Sequence, residues 1–156
     1  TSLWGGTPAS YGILSAQDAL LALNDGNGKY MILVTDGAAN CKPETVDMGM
    51  FNFSLWFDAF DDSLTTNIQA ANDAGITTYV VGIGIPDAVT PTQQDGNPDN
   101  INPLQELSKA ALAGGAAVDP MGDPMDSTPE YYVGNDAVSL QAALAGITGT
   151  IPSCVV

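Results

Sequence analysis

Two oxygen-bearing positions in this chain stand where a ligand can be gripped. Thr7 lies in Gly5-Gly6-Thr7-Pro8, ahead of an amphipathic stretch, and Asp36 ends the apolar run Tyr30-Met31-Ile32-Leu33-Val34-Thr35. A carboxylate at the carboxyl end of a buried strand sits where open α/β sheets bind ligands, because the loops leaving the strands form a crevice there. A hydroxyl and a carboxylate at that edge make an oxygen-only set, which suits a hard cation such as Mg²⁺, Mn²⁺ or Ca²⁺ and does not suit zinc or copper. The plainer alternative is that Asp36 closes a turn with Gly37, a routine role of Asp-Gly.

The residue types that are missing narrow the chemistry further. The chain has no histidine and no arginine, so a Ser-His-Asp triad, a Cys-His dyad and a histidine-bound zinc site are all excluded. Ser10 and Ser15 have no histidine base to activate them. Gly82-Ile83-Gly84-Ile85-Pro86 lacks the third glycine and the helix of a dinucleotide fingerprint. Thr35-Asp36-Gly37 has the letters of an aspartic protease site in the wrong order, with no second copy to pair with. The expectation is a protein that is not an enzyme. Asp95-Gly96-Asn97-Pro98-Asp99-Asn100 places oxygens at alternate positions, as calcium loops do, so Asp95, Asn97 and Asp99 form a secondary candidate; the alternative is a solvated turn. Asp119, Asp123 and Asp126 around Pro120 and Pro124 are a weaker candidate of the same kind.

Eighteen acidic residues face only Lys29, Lys42 and Lys109, giving a net charge of -15. Such a field repels nucleic acid and anionic membrane surfaces and favours cations. Apolar residues make up 45% of the chain and charged ones 13%, which argues for a globular body rather than an acidic disordered tail. At 156 residues the chain fits one domain, able to remove roughly 70% of its unfolded surface from water. No apolar run is long enough to span a bilayer, and no basic, apolar-cored leader is present. Thr1 in place of Met implies processing or excision from a longer chain. Cys41 and Cys154 are an even pair that forms a disulfide in an oxidising compartment and stays as two free thiols otherwise.

The elements that must position Thr7 and Asp36 follow from periodicity. Thr7-Pro8 reads as N-cap plus first-turn proline, leading a helix with Ile13, Ala16, Leu20 and Leu23 on one stripe. A buried strand begins near Tyr30. An irregular stretch follows, holding Cys41 and the aromatics Phe51, Phe53, Trp56, Phe57 and Phe60, read as satellite core. A second helix from about Ser63 carries Leu64, Ile68 and Ala71 and is stopped by Gly75; Ile76 to Ile85 is a second buried strand. This strand-helix-strand unit implies a right-handed crossover. Asn102-Pro103 opens a third helix ended by Gly114-Gly115, Tyr131 to Val133 is a short strand, and Asp136 opens a last helix with Leu140, Leu144 and Ile147. The alternation predicts a mainly parallel sheet with helices on both faces, a Rossmann-like three-layer α/β/α fold.

In this order the chain resembles the von Willebrand factor type A family. The likeness rests on Gly6-Thr7-Pro8, on Met31-Ile32-Leu33-Val34-Thr35-Asp36-Gly37, on Ala74-Gly75-Ile76-Thr77-Thr78-Tyr79-Val80-Val81-Gly82-Ile83-Gly84, and on the closing pair from Tyr131 to Ile147. It implies a metal-ion-dependent adhesion site in which Thr7 touches the metal and Asp36 acts as the third-loop carboxylate, often through water. The Asp-x-Ser-x-Ser loop of that family is not found before Thr7, so residues 1–156 correspond to the carboxyl-terminal half to two-thirds of a single such domain, incomplete on its N-terminal side. The resemblance therefore implies a companion polypeptide supplying the first strands, and a protein ligand offering a carboxylate to Mg²⁺, Mn²⁺ or Ca²⁺. It also implies an extracellular, cell-surface or periplasmic setting. The alternative from another class is a structural or assembly subunit of the same fold with no functional metal site.

Overall fold

A computed structural model describes residues 7–23, 25–40, 59–93 and 97–151. Along these the chain runs α1 (Ala9–Ala22), β1 (Lys29–Thr35), α2 (Ser63–Asp73), β2 (Ile76–Gly82), α3 (Pro103–Ala113), β3 (Tyr132–Val133) and α4 (Ala137–Thr150). The three strands form one parallel sheet in the order β1-β2-β3. Its register pairs Lys29 with Ile76 through to Thr35 with Gly82, and Val81 and Gly82 with Tyr132 and Val133. The result is a mixed α/β fold with a small parallel sheet, compatible with a Rossmann-like arrangement. Among the described residues no helix is long and apolar enough to cross a membrane.

Local chemistry sets most boundaries. The Asn102 side chain accepts from Leu104 N at 3.1 Å, with Pro103 in the first helical position, so α3 starts where its first orphan donor is satisfied. Asp136 and Ser139 form a reciprocal capping box at the start of α4. Gly75 follows the C-cap of α2 at φ +83°, a conformation that costs a residue with a β-carbon, and turns the chain directly into β2. Gly114 lets the end of α3 close on β2: Thr78 N donates to its carbonyl at 2.9 Å, and a β-carbon there would overlap the Thr78 carbonyl.

The core divides across the sheet. On one face Met31, Ile76 and Val80 pack with Ile13 of α1, Leu64, Ile68 and Ala71 of α2, and Leu104, Leu107 and Ala111 of α3. On the other, Tyr79 and Val81 pack with Ile147 of α4, flanked by Tyr30, Tyr132 and Leu140. Helices therefore cover both faces, three on one and α4 on the other.

Five expectations are corrected. Thr7 does not cap α1: the helix begins at Ala9 with Pro8 in the cap position and no side-chain cap, and the Thr7 backbone N–H donates to Asn40. Leu23 lies past the end of α1 and is exposed, and Leu144 faces outward while Ala143 takes its place against the sheet. β2 stops at Gly82 rather than Ile85, since Gly84 turns the chain at φ +62°. β1 is buried on one face only, leaving Ile32 43% and Val34 48% exposed.

Candidate functional site

The carboxyl ends of β1 and β2 carry the candidate site. The Thr35 hydroxyl donates to the Gly37 carbonyl at 2.8 Å and accepts from Gly37 N at 3.3 Å. Thr35 thus closes the tight bend after β1, and Asp36 is left pointing outward, exposed and without a hydrogen bond or ion pair among the described residues. The simple turn role foreseen for Asp36 is filled by its neighbour.

The loop beyond is rigidly framed. Ala38, Ala39 and Asn40 are buried. Asn40 Oδ1 accepts from Thr7 N at 2.5 Å, and Asn40 N donates back to the Thr7 carbonyl at 3.4 Å. Asp61 N donates to the Ala39 carbonyl at 2.8 Å, and the wholly buried Asp61 carboxylate accepts from Ser10 Oγ at 2.5 Å, Ser63 N at 3.1 Å and Ser63 Oγ at 2.5 Å. This knot joins the starts of α1 and α2 to the Asp36 loop, and a buried carboxylate needs such donors to be tolerated.

Thr7 is thereby brought to the loop that Asp36 opens, four residues downstream and through its backbone. Asp36 lines a cleft of about 340 Å³ together with Pro86, Pro98, Pro103, Thr90 and Asn97. Thr7 does not line that cleft. Thr90 is held by its hydroxyl, which donates to the carbonyl of Pro98 at 2.6 Å and lies 3.0 Å from that of Ile101.

The secondary calcium candidate is divided. Asn97 lines the Asp36 cleft, Asp99 Oδ1 accepts from Gln93 N at 3.0 Å and so closes its own loop, and Asp95 lies outside the described residues. Cys41 and Cys154 also lie outside them, as do Phe51, Phe53, Trp56 and Phe57; Phe60 is half-buried. Behind the cleft, hydrogen bonds from Asn102 and Ser127 hold the Asp87 carboxyl below its ordinary value. Burial, with Asp87 nearby, pushes Tyr131 up to about 12.

Sequence reasoning passed over Asp61, Asn40 and the role of Ser10. One signal was available: Asp61-Asp62-Ser63 immediately before an apolar-periodic stretch has the composition of a helix start. The partners of that carboxylate, 51 residues away at Ser10, had no local trace.

Among the described residues no three acidic, cysteine or histidine side chains stand close enough together to hold a metal ion. Compared with known proteins, the chain matches no family model, and no curated protein or solved structure shows significant similarity to it.

Proposed function

We propose that this chain is a non-catalytic, cation-dependent protein-binding module of von Willebrand factor type A character, working outside the cell or at its surface. In this reading Asp36 and Thr7 contribute to a site for Mg²⁺, Mn²⁺ or Ca²⁺, a companion segment supplies the missing ligand loop, and a partner's carboxylate completes the coordination sphere. The observation that carries it is the Asp36 carboxylate: unpaired, at the carboxyl end of a parallel strand, and held out by a buried frame that also fixes Thr7. Oxygen ligands of this kind suit hard cations. Calorimetric titration with Mg²⁺ and Mn²⁺ tests it. Wild type should show a saturable site that Asp36→Ala removes, and unchanged binding in that variant would overturn the reading.

A second reading, an assembly subunit completed by a partner strand, is favoured by a different observation. Among the described residues β1 pairs on one side only, and a groove of about 520 Å³ runs between it and α1, lined by Ile13, Leu20, Met31 and Leu33. Unpaired apolar edges invite strand addition. Under this reading Ile32→Lys lowers association in sedimentation velocity without unfolding the chain. Cation titrations on the same material would then show only weak, salt-sensitive binding.

A further inference from the structure

The segment that leads into β3 holds a second group of carboxylates, Asp119, Asp123, Asp126 and Glu130, and none of them lines the Asp36 cleft. Glu130 differs from the rest in being only 2% exposed. Its backbone is clamped, with Val118 N donating to its carbonyl at 2.8 Å and its own N donating to Ser108 Oγ at 3.2 Å. Its Oε2 nevertheless makes no hydrogen bond among the described residues. The two lysines among the described residues are engaged elsewhere: Lys109 pairs with Glu106 at 2.8 Å and Lys29 with Asp25 at 3.8 Å. A buried carboxylate without a counter-charge is costly and calls for a positive partner.

The direction of this carboxylate locates that partner. It lies directly against Gly122, where a β-carbon would overlap both of its oxygens. Gly122 sits inside the turn that Gly122 N closes on the Asp119 carbonyl at 3.2 Å, so Glu130 is aimed into the acidic loop from beneath. Above it the aspartates each spend one oxygen on a backbone N–H: Met121 N to Asp119 at 2.9 Å, Met125 N to Asp123 at 2.9 Å, Thr128 N to Asp126 at 2.6 Å. Their other oxygens make no hydrogen bond among the described residues. Asp119, Asp123 and Glu130 occupy the first, fifth and twelfth places of a twelve-residue span, offsets that calcium loops of this length use, although Met121 and Pro124 depart from the EF-hand pattern at the third and sixth and Ser127, at the ninth, is bonded to Asp87.

We propose that residues 119–130 form a calcium site anchored by the buried Glu130 carboxylate, with the exposed Asp119 and Asp123 drawn over the ion from the loop. Backbone carbonyls and water fill the remaining positions. Calcium fits better than magnesium, because it accepts six to eight oxygens in irregular geometry, whereas magnesium demands a near-ideal octahedron and sheds water reluctantly. Among the described residues no three acidic side chains stand together around one point, so in this proposal the loop tightens around Glu130 on binding.

The experiment is calcium titration by calorimetry, paired with luminescence of terbium as a calcium mimic sensitised by the adjacent Tyr131. Wild type, Asp36→Ala, Glu130→Gln and Asp123→Asn are compared, each checked for folding by circular dichroism. Asp36→Ala should keep a Ca²⁺ site that sensitises terbium through Tyr131, and Glu130→Gln should weaken that site by about tenfold or more. Should Glu130→Gln fail to fold, Asp123→Asn, at an exposed position, should still weaken binding by about fivefold or more. Wild-type affinity in a folded Glu130→Gln, or in Asp123→Asn where Glu130→Gln does not fold, would overturn the proposal. So would an absence of calcium binding in wild type, or its complete loss in Asp36→Ala, which would assign all the binding to the other edge.

Discussion

β1 and β2 are both seven-residue apolar strands, yet they are buried very differently. In β2, Ile76, Thr78, Val80 and Val81 are fully enclosed and Tyr79 nearly so. In β1, Met31 and Thr35 are enclosed, but Ile32 and Val34 on the opposite face are close to half exposed. The cause is placement. Among the described residues β2 has a strand on each side and helices on both faces, whereas β1 has β2 on one side only. The layer around α4 reaches β1 only at its beginning, where Tyr30, Tyr79 and Tyr132 line up with ring centroids 6.4 and 6.1 Å apart. Strand hydrophobicity thus records a capacity for burial, and neighbours decide how much of it is used.

The largest effect that sharpens this contrast comes from truncating each strand. Ile76→Ala should cost about 2–5 kcal/mol in urea unfolding, since it removes buried methyl groups and leaves a cavity. Ile32→Ala should stay within about 0.5 kcal/mol. A cost for Ile32→Ala close to that of Ile76→Ala would mean that something covers this face of β1 in solution.

The same contrast holds between the two aspartates that flank the β1 loop. Asp61→Ala should destabilise by about 1–3 kcal/mol, because Ser10 and Ser63 would lose their acceptor inside the fold. Asp36→Ala should change stability by no more than about 0.5 kcal/mol, as expected of an exposed group with no partner. Equal costs in denaturant midpoints would make Asp36 part of the frame rather than its ligand-facing rim.

A smaller effect concerns the supported side of β2. Tyr131 packs against Gly82, and burial raises its pKa to about 12 against an ordinary value of 10.0. The folded state therefore holds this proton more tightly than the unfolded state. The resulting stability is complete below about pH 10 and is lost as pH rises through about 12. Unfolding followed against pH should show this alkaline loss, and Tyr131→Phe should remove it. The smallest effect lies at the exposed cap of α4. Hydrogen bonds from the backbone and side chain of Ser139 hold Asp136 below its ordinary 3.8, so its contribution is present above that value and fades as pH falls through the lowered one. Asp136→Asn should flatten this part of the acid limb.

The chain's legibility follows the range of the interactions involved. Asn102-Pro103, Gly75 and Asp136 were readable because each acts on backbone groups two or three residues away. Thr7-Pro8 spells the same kind of start, yet the helix begins one residue later with Pro8 in the cap position, and Thr7 is tied to Asn40, 33 residues on. At the candidate site, Asp36 was visible as an acidic stop to an apolar run. The Asp61 knot was not, since its donors come from two helices with nothing in their spacing to link them.

The sequence by itself determined the alternation of strands and helices, the parallel sheet, the acidic surface and the exclusion of histidine chemistry. These depend on short-range periodicity and on residue counts. Only the tertiary structure decided that β1 lies at the edge of the described sheet, that Thr35 closes the bend and leaves Asp36 exposed, and that Glu130 is buried beneath an acidic loop. Each of those outcomes depends on which distant segment lies beside a residue, and burial and hydrogen-bond satisfaction are properties of that neighbourhood rather than of the residue.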